Sequence, residues 1–296
     1  FNLYSKDLYE YKFNWYPRII VEDDVIVFPD SSKYETYNTT GVWEDNFGNY
    51  GIMKCLVSQF INGNQVVDQR NDGSAGTASA NTLTYATDRW YIYSVGATCG
   101  YQRVAGPNSS DYSIQITPAS SNTNSIVAQR IENLNCLDLG NQTVTISGKV
   151  YIDNSTGVTF NTNVYVASSA NSSYGSLVSF SSALTSGQYV NFSGTVTLGA
   201  NAINGIEVDF SFLSAAGKTI KLTNLQLEIG SVATPFEHRP IGVELGLCQR
   251  YCYKHLSAEW GYAASSLGTS YARTRVDFKV QMRASPSLSG VVFTST

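Results

Sequence analysis

Charged side chains are scarce in this sequence. Asp, Glu, Lys and Arg make up 14% of its 296 residues, against roughly 25% in an ordinary soluble domain. The Lys and Arg residues are scattered, with no basic block. Phosphate backbones are neutralised by clustered cations, so the pattern argues against nucleic acid as a partner. No run approaches the ~20 apolar residues that cross a bilayer as a helix, and no signal peptide opens the chain, so membrane insertion is not expected. Phe1 stands where an initiator Met would, as expected of a fragment or a processed product. His238 and His255 are the only histidines, which leaves a Ser-His-Asp arrangement two candidate bases, neither in a recognisable nucleophile context. No phosphate-cradling glycine loop or nucleotide fingerprint appears, and no cofactor is expected. The five cysteines (Cys55, Cys99, Cys136, Cys248, Cys252) are odd in number and irregularly spaced. A disulfide framework is even and regular, so most of them are expected to be small buried thiols.

Ser, Thr, Asn and Gly stand in for the missing charge. Thr fits a pleated strand and Asn and Gly fit turns, which suits an extracellular β-protein or a packed assembly. Hydrophobic residues at 43% and aromatics at 12% are enough for a core, and the length allows more than one domain. Across 59–240, short segments alternate apolar and polar residues: DRWYIYSV, YSIQIT, SIVAQRIE, QTVTISGKVYI, VTFNTNVYVA, QYVNFSGTVTL, GIEVDFSFL and KTIKLTNLQLEI. In Thr143–Ile152, Val144 and Ile146 alternate with Thr and Ser, the period of a half-buried strand. Gly and Asn punctuate the gaps. Eight such segments without an intervening helix predict an all-β fold, an antiparallel jelly-roll β-sandwich.

The flanks differ in texture. Residues 1–58 are rich in Tyr and Phe, with short strands over Arg18–Phe28 interrupted by Glu22, Asp23 and Asp24. This region is expected to be an N-terminal arm that attaches to neighbouring chains, or a small β-unit of its own. Residues 241–296 predict a C-terminal helix-plus-strands unit: a helix over Val243–Leu256 with Gly246 as its weak point, then strands over Ser270–Val280 and Leu288–Thr294.

The segment Leu222–Tyr251, LTNLQLEIGSVATPFEHRPIGVELGLCQRY, closely resembles one shared by phage and prophage tail-associated proteins that carry a carbohydrate-binding-module-like jelly roll. Ile61–Gly73 (INGNQVVDQRNDG), Thr87–Tyr91 (TDRWY), Ser125–Asn133 (SIVAQRIEN), Gln142–Lys149 (QTVTISGK) and Phe278–Pro286 (FKVQMRASP) resemble further pieces of that family in the same order. The match spans about 59–290. Cys252 stands where the family more often has an aromatic residue, and the C-terminal unit ends sooner than expected. The resemblance implies a place on the virion, at the tail or capsid surface, and a homotrimer. It implies no catalytic mechanism, because a shared fold does not transfer a function.

In TPFEHRP, Pro235 and Pro240 fix an extended exit from the last strand. Phe236 is expected to pack into the sandwich edge, while Glu237 and Arg239 pair and tie the linker down. Gln129-Arg130 and Gln249-Arg250 read as polar anchors. Sugar sites stack aromatic faces on pyranose rings and surround them with hydrogen-bonding groups. Tyr91, Tyr93, Tyr101, Tyr112, Tyr165, Tyr174 and Tyr189 offer such faces. Tyr174, in the loop-like run Ser168–Ser176, leads the glycan-binding candidates with Asn171, Tyr165 and Tyr189, although a loop tyrosine also caps a core edge or meets a neighbouring subunit. Trp90 reads as core. Cys248, Cys252 and His255 share the spacing of helix-borne zinc ligands, but the apolar stripe explains them equally and a fourth ligand is missing, so no metal is expected. The Glu22–Asp24 triplet lacks the ordered spacing of a calcium loop. Glu132, Asp153, Glu207 and Asp209 are available carboxylates, yet the sequence brings no two together as a glycosidase requires.

The expectation is therefore a non-enzymatic virion protein: a tail fibre or receptor-binding module that contacts host-surface glycans and joins other virion proteins through its N-terminal region. The alternative is a virion element without a ligand, such as a capsid decoration, head fibre or baseplate component.

Overall fold

The computed structural model describes residues 58–108, 111–254 and 278–287, and beyond them the backbone of seven short strands. The chain divides into two units, 1–57 and 58–296. In the first, β1 (Ile20–Glu22), β2 (Val25–Val27) and β3 (Lys33–Tyr34) form an antiparallel sheet. Glu22 of the acidic triplet lies opposite Val25. A hairpin joins β4 (Val42–Glu44) to β5 (Tyr50–Ile52).

The second unit is a two-sheet sandwich. Its strands are β6 (Gly76–Ala78), β7 (Thr84–Tyr85), β8 (Tyr91–Val95), β9 (Cys99–Ala105), β10 (Tyr112–Pro118), β11 (Asn124–Glu132), β12 (Thr143–Ile152), β13 (Thr159–Ser169), β14 (Ser172–Ser182), β15 (Gln188–Thr197), β16 (Gly205–Leu213) and β17 (Ile220–Ile229). One sheet runs β15-β12-β17-β10-β9-β6 and the other β14-β13-β16-β11-β8-β7, antiparallel throughout. From β10 to β13 and again from β14 to β17, successive strands switch sheets, which gives the jelly-roll interleaving.

Period-two patterning decides which face of each strand is buried. On β16, Ile206, Val208, Phe210 and Phe212 point inward and are fully enclosed, while Glu207, Asp209 and Ser211 take the opposite face. Phe160 stacks on Phe212 at 4.7 Å, Phe192 meets Phe160 edge-on at 5.0 Å, and Trp90 lies 5.2 Å from Phe60. Each fully buried aromatic of this kind stabilises by roughly 1.5–3 kcal/mol over its exposed state. Cys99, Cys136 and Cys248 are buried free thiols and Cys252 is partly buried; Cys55 lies outside the described residues.

Eight of these strands fall on the alternating segments. Four others were not legible: the short β6 and β7, β9, where CGYQRVA lacks clean alternation, and β14, where SSYGSLVSFSS reads as loop. The run Ser168–Ser176, expected as a loop, is largely a hairpin instead. Ser169 pairs with Ser172 across Ala170-Asn171, and Asn171 and Ser173 both adopt positive φ. An edge strand bonded on one side only is stable with Ser and Gly on its outer face, so polarity was a poor guide there.

The close of the sandwich is a polar interlock. β17 pairs with β10 only through Leu222, then bulges at Asn224, whose φ is +52°. Past the bulge its partner is the opening segment 58–63: the Leu225 N–H donates to the Gly63 carbonyl at 3.0 Å and the Gln59 N–H to the Leu227 carbonyl at 2.9 Å. Gly63 lies so close to the Leu225 carbonyl that a Cβ there would sit 2.1 Å from its oxygen, so only glycine fits. Asn62 bonds Val67 through both its N–H and C=O and donates to the Asp88 carbonyl. Gln129 brackets Ile61 the same way, at 2.9 and 2.8 Å.

The linker closes over this segment. Arg239 is 3.4 Å from Glu237 and 3.6 Å from Glu244 and donates to the carbonyls of Ser58 and Phe60. Phe236 packs against Gly63, and its ring meets His238 edge-on. Helix α1 spans Ile241–Gln249, shorter than the Val243–Leu256 expected. Just past its end Arg250 pairs with Glu132 at 2.9 Å and Tyr251 lies beneath the Arg89 guanidinium. Leu245, Leu247, Cys248 and Tyr251 pack on Ile61 and Val67. Leu256 and His255 lie outside the described residues. Beyond the helix, β18 (Ser265–Ser266) pairs with β19 (Ala272–Arg273). Residues 278–287 hold no strand, which corrects the end of the strand expected over Ser270–Val280. Within that stretch the Arg283 N–H donates to the Arg250 carbonyl. The strand expected over Leu288–Thr294 lies outside the described residues.

Replacing Asn62 by Ala leaves the Asp88 carbonyl and the Val67 N–H without partners and removes one of two donors from the Val67 carbonyl. Urea denaturation is expected to show a loss of about 3 kcal/mol, against less than ~0.5 kcal/mol for Asn154→Ala in an exposed turn.

Candidate functional site

The structure sorts the sequence candidates into three places. Tyr189, on β15, lies on the outer face of the first sheet, its ring 5.4 Å from Tyr151 and its hydroxyl 2.8 Å from Ser113. Asn171 turns its amide onto Asn133, accepting from the Asn133 N–H and donating to its side-chain oxygen, both at 2.8 Å. It therefore latches the β13–β14 hairpin and has little capacity left for a ligand. Tyr165 and Tyr174 share the outer face of the second sheet, on β13 and β14, where Tyr174 pairs with Ala167 two residues beyond Tyr165. Phe236, Glu237 and Arg239 belong to the interlock. Of the other tyrosines, Tyr101 covers Gly76 and Tyr112 lies under Arg103, while Tyr91 and Tyr93 join Tyr165 and Tyr174. Trp90 is enclosed in the core.

Strand register builds the face around that tyrosine group. Arg130 on β11 is opposite Glu207 on β16, which is opposite Tyr165 on β13. In the next outward row Tyr91, Ala128, Asp209 and Asn163 follow one another across β8, β11, β16 and β13. Arg130 forms an ion pair with Glu207, and its guanidinium lies 4.9 Å from the Tyr174 ring centre and 5.8 Å from that of Tyr91. The Tyr91 phenol lies beside the Glu207 carboxylate, across β11, where the side chain is only the methyl of Ala128. Burial pushes the Tyr91, Tyr165 and Tyr174 phenols up, so all three remain neutral donors.

Asp209 differs from its neighbours. It points away from the core, yet it is only 6% exposed, and its Oδ1 has no hydrogen-bond partner. Burial, with the nearby Glu207 carboxylate, pushes its carboxyl up to about 7 against an opposing pull from Arg130. Ser211, next along the same face, is by contrast satisfied by Asn124 at 2.9 Å.

Sequence reasoning named Glu207 and Asp209 as available carboxylates without placing them together, and took Arg130 as an anchor. The signal was there: an i, i+2 spacing in GIEVDFSFL puts both acids on one face of a strand. Side by side on one strand, they do not bracket a bond from opposite sides. A recess of about 170 Å3, lined by Val166, Val178, Leu198, Gly199, Ala200 and Asn201, lies elsewhere in the sandwich and holds no charged group. Among the described residues, no group of three His, Cys, Asp or Glu side chains is placed to hold a metal ion. Burial pushes the Cys248 and Cys252 thiols up, away from the thiolate form; His255, the third member of that set, lies outside the described residues.

No known protein family and no curated protein matches the chain. Solved structures are similar in fold. A putative sugar binding protein from Bacteroides thetaiotaomicron aligns at TM-score 0.39 and 9% identity, over 58% of this chain and all of that one. The CBM22-1 xylan-binding domain from Paenibacillus barcinonensis aligns at 0.35 and 15%, over 53% of this chain and 99% of that domain. The enzymatically active domain of the bacteriophage CBA120 tailspike protein 4 aligns at 0.38 and 11%, over 59% of this chain; the match spans 22% of that domain. Identities of this size speak to the fold alone.

The raised Asp209 carboxyl sets a pH dependence. Folding takes up a proton there as pH rises from the ordinary carboxylate range, 3.8, to about 7. Stability is therefore greatest below that window, falls through it and levels off above it. Asp209→Asn should match the parent near ~pH 4 and exceed it by about 4 kcal/mol near ~pH 8 in parallel denaturation curves.

Proposed function

We propose that this chain is a structural protein of a phage virion, of the tail-fibre or receptor-binding kind, and that the tyrosine face of its second sheet contacts host-surface glycans without catalysing a reaction. The observation that carries the glycan reading is the grouping of the half-buried Tyr165 and Tyr174 around Arg130, Glu207 and Asp209, with Tyr91 buried beside them. Aromatic faces beside a few polar groups, one of them lacking a partner, make a surface suited to a pyranose ring and its hydroxyls. The resemblance of Leu222–Tyr251 to phage tail-associated proteins supports the virion assignment, as does a surface of hydroxyls and amides in place of charges. Homotrimerisation, with the N-terminal region joined to other virion proteins, would present three such faces together, so that avidity compensates for weak single sites.

The test is a glycan array of host-envelope polysaccharides probed with the whole chain and two variants. Tyr174→Ala is expected to lower binding at least ~10-fold, a loss of about 1.4 kcal/mol, while Tyr189→Ala on the opposite sheet leaves it unchanged. Sedimentation of the same sample reads the oligomeric state. A folded chain silent across the array would favour the ligand-free virion element instead.

A further inference from the structure

The charges on the tyrosine face do not balance. Arg130 is the cation that reaches its two carboxylates, and its guanidinium is already paired with Glu207. Asp209 is left over. The titratable and charged groups that interact with it are Glu207 on its own strand, Arg130 on β11, Tyr91 on β8 and Tyr165 on β13. Arg283 approaches Tyr174 but contributes nothing to Asp209. An aspartate only 6% exposed, with an oxygen bonded to nothing, is costly to ionise without a counter-charge. A serine in its place would avoid that cost, and Ser211 shows that this face accepts one.

We propose that Asp209 is a specificity residue for a ligand ammonium, and that the glycans taken by this face contain amino sugars with a free, unacetylated amine. The inference rests on the glycan reading above and narrows its ligand class. A ligand ammonium supplies both things that Asp209 lacks, a counter-charge and a hydrogen-bond donor. A neutral hydroxyl supplies the donor only. A uronate or other acidic sugar would add a third anion beside Glu207 and Asp209. The adjacent tyrosine rings favour the same choice, because aromatic faces attract cations while also stacking on the apolar side of a pyranose. The terminal torsion of an aspartate is broad, so the carboxyl can turn to meet a donor.

The experiment is calorimetric titration of the whole chain with glucosamine oligosaccharides bearing free amines, the same oligosaccharides fully N-acetylated, and an oligouronate, near ~pH 7, where Asp209 is ionising and a share of the amines is still charged. The free-amine series is expected to bind at least ~10-fold more tightly than the acetylated one, with no binding of the uronate. That preference should survive added salt, which screens exposed charges more than buried ones. In Asp209→Asn, close in shape to the parent, the two series should bind within about twofold of each other, while Tyr174→Ala should weaken both together. Equal binding of both series by the parent, or a preference that persists in Asp209→Asn, overturns the amino-sugar assignment and leaves the glycan face standing. Failure of a folded chain to bind any of these sugars overturns the amino-sugar assignment, and the array of host-envelope polysaccharides then decides the glycan face. The parent's own ratio decides the question even if a variant does not fold.

Discussion

Arg239 sits between two carboxylates, Glu237 and Glu244, with its guanidinium also on the carbonyls of Ser58 and Phe60. Its side chain is 5% exposed. A buried cation so placed is stable only while every partner stays in position, and removing one leaves an uncompensated charge. These partners come from the opening segment, the linker and the first turn of α1, so one guanidinium holds together stretches about 180 residues apart in the chain. The bulge at Asn224 serves the same end, because it frees the second half of β17 to take 58–63 in place of β10. Glu244 then meets the Asn62 N–H, and Trp90 donates to the Asn62 carbonyl at 2.8 Å, so the interlock runs directly into the aromatic core.

The outer faces of the two sheets differ in how their polar groups are satisfied. The first sheet carries threonine pairs, Thr143 with Thr197 and Thr145 with Thr195, each at 3.3 Å, in which the hydroxyls satisfy one another. The second carries Arg130, Glu207 and Asp209 among tyrosines, where satisfaction is incomplete at one atom, Oδ1 of Asp209. The polar groups of the interlock also include unpartnered atoms, Nε of Arg239 and Oδ1 of Asp88. Those sit on side chains whose other atoms are bonded within the fold. Asp209 has no such compensation, which is why a ligand role is argued for it and not for them.

Much of the sandwich was legible because apolar and polar residues alternate where one face of a strand is buried. Val144 and Ile146, or Val208 and Phe210, announce an inner face by themselves. The signal failed at β9 and β14. Tyr174 was therefore singled out for residing in a loop, although it stands on a strand beside Tyr165. Asn171, chosen for the same loop, spends its amide on the hairpin. Tyr189 reads like Tyr165 in sequence, yet belongs to the other sheet.

Local composition and spacing determined the all-β class, the inward set of each strong strand, and the chemistry of the linker, where the pairing of Glu237 with Arg239 needs only two residues of separation. Local effects of this kind act over a few residues, and a sequence displays them directly. The order of strands in the sheets, the union of Asn62 with Glu244, and the company kept by Asp209 were decided by tertiary structure alone. Each depends on residues between about 35 and 180 positions apart, and no periodicity encodes which distant strand will lie alongside. Asp209 is an ordinary aspartate in the sequence; its burial, its like-charged neighbour and its missing partner exist only once β8, β11, β13 and β16 lie side by side.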